Sequence, residues 1–389
     1  GLSLEKTSSF KEKLKSEPQF LLAQNVATCI DPLEVCLQRQ TVQDTVHVFQ
    51  HTIPAEGKPV TNQKNSGRCW IFSCLNVMRL PFMKKFNIEE FEFSQSYLFF
   101  WDKVERFSGR LRSFRCELCD FFFTSIFVTF PIIKIILSNP NFTYFGIQTR
   151  TLMNLPHRLA KEKYGVIPKK CFPESHTSEA TRRMNDILNH KMREYCLRLR
   201  NMVTSSCTKE EIATALDTMI EEVYRVVSIC LGSPPDTITW EFRDKEKNFC
   251  KIGPITPQDF YKCHVKPIYN VEDKVISFKA PLQVSIWFDV QFLTYLRLFA
   301  IYLAVWFGCD VGKHFHGKLG INDLNIFDHE LVFGLSVKNM NKAERLIYGD
   351  SLMTHAMALT AVTEKLGQDG EYEKWRVENS WGDDRGNKG

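Results

Sequence analysis

The sequence predicts an α+β protein. Two observations carry that reading. Apolar residues recur at helical spacing through the middle of the chain, while near the C-terminal end they alternate or run continuously as strands do. The two patterns occupy separate stretches, which argues for α+β rather than alternating α/β units. The 389 residues are 44% hydrophobic and 24% charged, a globular balance with ample chain for a large core and two or three domains. Fifty basic against 45 acidic groups leave +5, too slight an excess to imply nucleic-acid binding.

Gly1 to His51 is polar and helical in character and ends in a β-like stretch at Val46 and Val48. It shows no apolar leader, which predicts no signal peptide. Gly57 to Asn62 reads as a loop. A helix is expected from Cys69 through Ile71, Cys74, Val77 and Met78 toward Pro81, and Glu92 to Trp101 is aromatic and expected to be buried. Thr177 or Ser178 can cap a helix with Met184, Ile187, Leu188, Met192, Leu199 and Met202 on its apolar face. Thr208 and Glu211 form a capping box for a second helix, which carries Ile212 to Val227 and stops at Gly232. Thr237 to Phe242 alternates like a strand, and Thr256-Pro257 opens a short helix. From Ala304 onward the pattern is β-like, with strands expected over Leu331–Val337, His355–Val362 and Trp375–Val377.

Two blocks stand apart. Phe107 to Phe145 holds nine of the 31 phenylalanines, and Ile276 to Leu303 is apolar with only Lys279, Asp289 and Arg297 charged. Phe121 to Leu137 is nearly all apolar, but Pro131 and Lys134 argue against a membrane span. The expected organisation is therefore 1–106, a Phe-rich block 107–161, a helical region 162–275, an apolar block 276–303, and a β-rich region 304–389. Thirteen cysteines are scattered without framework spacing, which predicts free thiols and a reducing, cytoplasmic setting. Cys116 and Cys119 have metal-like spacing without a second pair, and His314 and His316 would share a strand face. No metal or cofactor is expected from either. Lys161, Lys163, Lys169 and Lys170 form a small basic cluster, expected to be a solvated face and only a weak nucleic-acid candidate.

The chemistry concentrates at Gln63 to Trp70. A nucleophilic thiol must ionise near neutral pH, and the N–H groups and partial positive charge of a helix N-terminus lower a cysteine pKa. Cys69 stands where such a helix begins, after Gly67, which permits a tight approach. Gln63 can aim a side-chain N–H at the same point as the Cys69 backbone N–H, and two convergent donors make an oxyanion hole. Far downstream, His355 opens an apolar strand and Asn379 follows another, with Trp381 close behind. A cysteine needs a base, and the base needs an orienting group. An Asn carbonyl does that without adding charge, and Trp381 can shield the bond.

These elements, "QKNSGRCW", "THAM" and "ENSWG", resemble the papain-like cysteine peptidases. The resemblance implies a papain-like fold: a helical left domain carrying the Cys69 helix, a β-rich right domain carrying His355 and Asn379, and a large helical insertion. Two departures are informative. Ser66 stands where secreted members carry a disulfide cysteine. His355 lies 286 residues after Cys69 and Asn379 310 after, on the order of 150 more than usual in that family. The excess matches the helical region. Longer runs, among them "EKYGVIPKKCFPES" and "VWFGCDVGKHF", are similar to a cytosolic aminopeptidase branch of the family. The blocks 107–161 and 276–303 are not.

The resemblance implies the roles: Cys69 as nucleophile, His355 as acid and base, Asn379 as its orienter, Gln63 in the oxyanion hole and Trp381 in support. It implies peptide or aminoacyl-amide substrates, no cofactor, no metal, no membrane, and a homohexameric barrel with a C-terminal tail in each cleft. The sequence ends at Gly389, short of such a tail. A second reading, of a different class, follows from that end and from the two blocks: a catalytically silent scaffold or non-functional isoform.

Overall fold

The computed structural model describes residues 1–54, 57–123, 163–269, 304–366 and 372–386. Most of the Phe-rich and apolar blocks lies outside them. Four helices form the N-terminal arm: α1 (Leu4–Ser16), α2 (Pro18–Ala27), α3 (Pro32–Val35) and α4 (Arg39–Asp44). Val46 and Val48 are exposed and outside any strand. The first strand, β1, is His51–Thr52.

Helix α5 (Cys69–Phe86) is the axis of the molecule, with thirteen buried residues from Trp70 to Met83. It passes through Pro81 rather than stopping there. A proline removes its own bond to the carbonyl four residues back and crowds that carbonyl with its ring. Burial of Phe82 and Met83 in the aromatic core offsets that loss. Asn87, in the left-handed region at φ 52°, ends the helix. Helix α6 (Gln95–Phe123) continues across Arg106, and Phe107 and Leu111 are buried in the main core.

Against α6 pack α8 (Arg182–Thr204) and α9 (Lys209–Leu231), which follow a single turn, α7 (His176–Glu179). The Thr208–Glu211 capping box forms: Glu211 N donates to Thr208 Oγ1 at 3.2 Å, and Thr208 N donates to Glu211 Oε2 at 2.7 Å. The cap expected at Thr177 or Ser178 does not open the long helix. Ser175 caps α7, and α8 begins after Thr181. Ile187 is exposed, because Met184, Leu188, Tyr195 and Leu199 suffice to seat the helix.

Strands β2 (Ile238–Arg243) and β3 (Phe249–Ile255) form an antiparallel ribbon, followed by α10 (Pro257–Phe260), capped by Thr256. The four-stranded sheet contains β1, β4 (Val305–Cys309), β7 (His355–Glu364) and β8 (Tyr372–Glu378). β7 is antiparallel to all its partners: to β4 from Val305↔Leu359 to Cys309↔His355, to β8, and to β1 at His51↔Val362. Between β4 and β7 lie a two-strand ribbon, β5 (Phe315–His316) with β6 (Ile321–Asn322), and two short helices, α11 (His329–Phe333) and α12 (Lys342–Ile347).

The strand expected over Leu331–Val337 is absent. Asp328 caps α11 and Gly334 stops it in the left-handed region, so the alternation there belongs to a helical turn and a loop. Leu331, Phe333, Leu335 and Val337 are all exposed.

Candidate active site

The site forms where the start of α5 meets the start of β7 and the end of β8. Cys69 is the first residue of α5 and is half-buried. Its thiol lies against the backbone N–H of Ala356, the residue after His355, and against the N–H groups of Trp70 and Cys69 itself. The fold thus brings the sulfur to the residue next to His355, across 286 residues from Cys69 to His355. Burial pushes the thiol pKa up, and the three N–H groups pull it back only part of the way. The expected lowering by the helix N-terminus is therefore present but outweighed. Arg68, Trp70 and the flanking core remove water that a lone thiolate would need.

His355 is buried. Its Nε2 faces Asn379 Oδ1 at 2.7 Å, and Ser380 N donates to the same oxygen at 2.7 Å. A backbone N–H can only donate, so it fixes the oxygen side of the Asn379 amide. The imidazole must then carry its proton on Nε2, which leaves Nδ1 for the thiol. Burial lowers the His355 pKa, and the Asn379 bond raises it back in part. Trp381 stacks on the imidazole with centroids 4.6 Å apart and planes at 28°. Phe315 touches the indole at 5.7 Å, and Arg385 lies over it at 5.7 Å.

A strap from the loop before α5 runs beside these residues. Gln63 N donates to Ser380 O at 2.8 Å, Gly382 N to Thr61 O at 3.1 Å, and Asn62 pairs with Trp381. Gly382 has φ +87°, and a Cβ there would stand 2.6 Å from Asn62 Nδ2, so the glycine of "ENSWG" is required by the strap. Gln63 is buried on this strap. Its Nε2 donates to Ser66 O at 2.6 Å, which leaves that nitrogen a second N–H. Gly67 has open space where a Cβ would stand and no positive φ. The backbone does not demand glycine there.

Sequence reasoning missed the support beneath Cys69. Arg68 is fully buried, pairs with Glu174 at 2.6 Å and donates through Nε to Ser66 Oγ at 2.9 Å. Ser66 thus serves as a hydrogen-bonded hydroxyl. Its signal was the polar Ser66-Gly67-Arg68 run ahead of an apolar helix. Every cysteine with a described side chain is a free thiol. Cys116 and Cys119 are not among them. His316 faces Glu34 at 3.5 Å and accepts from Leu319 N at 3.2 Å, so it is a bonded core histidine. Lys163 pairs with Glu105, and Lys169 with Glu92 at 2.9 Å. Among the described residues, no cluster of His, Cys, Asp and Glu could hold a metal, and no helix is long and apolar enough to cross a membrane.

The model of the Peptidase C1-like family matches residues 1–297 and 301–389. The chain belongs to that family. It is a papain-like cysteine aminopeptidase of the bleomycin hydrolase type. Bleomycin hydrolase of Gallus gallus is 62% identical over 421 residues, covering 100% of this chain and 88% of that protein. The Homo sapiens protein of that name is 57% identical with the same coverage. Aminopeptidase C of Lactobacillus delbrueckii subsp. lactis is 32% identical over 100% of this chain and 87% of its own length. The crystal structure of PepW from Lactobacillus rhamnosis superposes with a TM-score of 0.83 at 30% identity, over 100% of this chain and 88% of that one.

Proposed function

We propose that this aminopeptidase cleaves the amide bond after a free N-terminal residue, in peptides and aminoacyl amides and in the carboxamide of bleomycin, through Cys69, His355 and Asn379. The observation that supports the proposal is the Cys69 thiol facing the Ala356 amide, one residue after a His355 whose Nε2 is held by Asn379. In the first step the thiol proton passes to His355 Nδ1 and the sulfur attacks the carbonyl carbon. The Cys69 N–H and the second Gln63 N–H receive the developing oxyanion. The imidazolium then gives its proton to the leaving amine, and an acyl-thioester remains on Cys69. Water enters, loses a proton to His355 and releases the acid.

Burial penalises a lone thiolate and a lone imidazolium alike, so charge enters this pocket as a pair. Trp381 over His355 keeps water from the Asn379 bond. The proposed setting is cytoplasmic and the proposed assembly a homohexamer. Free thiols throughout the described residues support the first. The exposed Leu4, Phe10 and Leu14 of α1, a helix that buries no residue, support the second.

The test is amine release from aminoacyl amides with free and with acetylated N-termini. Turnover of the free form that disappears in Cys69→Ala is expected. Turnover retained by that variant would refute the assignment.

A further inference from the structure

We propose that Arg79 and Glu378 are positioning residues. Their buried ion pair, with the Asn76–Thr61–Ser380 hydrogen bonds beside it, sets the geometry between the nucleophile and the residue that orients its base. The proposal rests on the cysteine-peptidase reading and adds to it residues that touch neither substrate nor thiol.

Arg79 Nη2 meets Glu378 Oε1 at 2.7 Å, with the side chains 1% and 4% exposed. Arg79 Nη1 also donates to Pro59 O at 2.8 Å, and Gly57 N donates to Glu378 Oε2 at 3.1 Å. One turn nearer the site, Asn76 Nδ2 donates to Thr61 Oγ1 at 3.0 Å and to Ser380 Oγ at 3.4 Å. Thr61 Oγ1 donates to Ser380 Oγ at 2.9 Å.

Asn76 and Arg79 sit seven and ten residues after Cys69, about two and three turns along the same helix. In extended chain, successive side chains point to opposite sides. Glu378 and Ser380 therefore reach back to α5, while Asn379 between them reaches His355. The peptide that presents Asn379 is clamped on both sides by the helix that presents Cys69. The same hub holds the strap that carries Gln63, through Pro59, Gly57 and Thr61.

A buried ion pair is a poor device for stability alone, since apolar residues of similar volume do as well or better. What the guanidinium fork adds is direction, at several acceptors at once. Displacing a reacting group by about 1 Å costs on the order of a hundredfold in rate, so a fixed register matters here.

The test uses Glu378→Gln, Arg79→Lys and the double variant Arg79→Met/Glu378→Leu. Three readouts are taken: kcat and KM on an aminoacyl amide, the pH profile of Cys69 alkylation by iodoacetamide followed by mass spectrometry, and thermal unfolding. The single variants should lose on the order of tenfold to a hundredfold in kcat with KM within about threefold, and the Cys69 pH profile should move toward that of a free thiol. The double variant should recover the unfolding temperature without recovering either kcat or the profile, and it decides the matter should the single variants fail to fold. A double variant that regains wild-type kcat and profile together with stability would make the pair purely structural and overturn the proposal. So would a folded Glu378→Gln with an unchanged profile. Should the wild type turn over no aminoacyl amide while the variants still shift the Cys69 profile, the hub stands and the substrate assignment falls.

Discussion

Helix α5 meets the end of β8 and the loop after it across a polar seam, although it packs on β7 through Val77, Leu80, Ala358 and Val362, whereas α6 meets α8 and α9 across an apolar one. The first is crossed by Asn76, Arg79, Ser380 and Glu378. The second is filled by Met184, Leu188, Leu199, Leu216, Met219 and Val223. Both are buried, yet they specify different things. Apolar packing rewards volume and tolerates small shifts between elements. Hydrogen bonds and ion pairs lose most of their value when misaligned, so they specify register. Chemistry that needs sulfur, imidazole and amide in fixed relation sits on the polar seam, and the insertion that needs only to be attached sits on the apolar one.

Four substitutions or titrations sharpen that contrast. The largest effect is expected from Cys69→Ser, which should cut kcat by on the order of 10⁴ or more and leave thermal unfolding nearly unchanged, because only one half-buried atom differs. Asn379→Ala should cost on the order of 10² in kcat, since His355 loses the acceptor that selects its tautomer. Met219→Ala, in the fully buried middle of α9, should do the reverse. It should cost about 2–5 kcal/mol of stability by denaturant unfolding while kcat per folded molecule stays within about twofold. A large loss of kcat from that variant would erase the distinction between the seams.

The smallest effect is on pH. Folding depresses the His355 pKa and raises that of Cys69, in both cases through burial. The active proton count, one shared between thiol and imidazole, should persist from below the free imidazole range of about 6.5 to above the free thiol range of about 8.5. The kcat profile should be a broad bell whose two limbs belong to the pair. The same signs apply to stability. As pH falls below the free imidazole range the unfolded chain takes up the His355 proton first, and stability declines through the folded value. As pH rises past the free thiol range the unfolded chain releases the Cys69 proton first, and stability declines again. Unfolding temperature against pH, in the wild type and in His355→Ala, checks both slopes.

Much of this was legible in the sequence. The capping box at Thr208, the apolar face of α9 and the start of α5 at Cys69 are local features, and local rules read them. Cys69, His355, Asn379 and Trp381 were singled out because their neighbours form recognisable motifs; in the structure His355 meets Asn379 and Trp381, and the Cys69 thiol faces the amide next to His355. The limits are physical too. Leu331 to Val337 has strand-like alternation, but Asp328 and Gly334 bracket a helical turn that buries only Val332 and leaves Leu331 and Phe333 exposed. The net direction of the Cys69 pKa depends on how much water the surrounding core removes, which no spacing reveals. Arg79 and Glu378 lie 299 residues apart and look in sequence like ordinary surface charges. Only the fold shows that they are buried and face each other.

The most direct test of the account is the rate at which each cysteine reacts with an irreversible thiol-peptidase inhibitor near neutral pH, mapped by mass spectrometry. Cys69 should be modified far faster than the exposed Cys29 and Cys263, and that advantage should vanish in His355→Ala. Modification of Cys69 no faster than of those two thiols, in the folded wild-type chain, would contradict it.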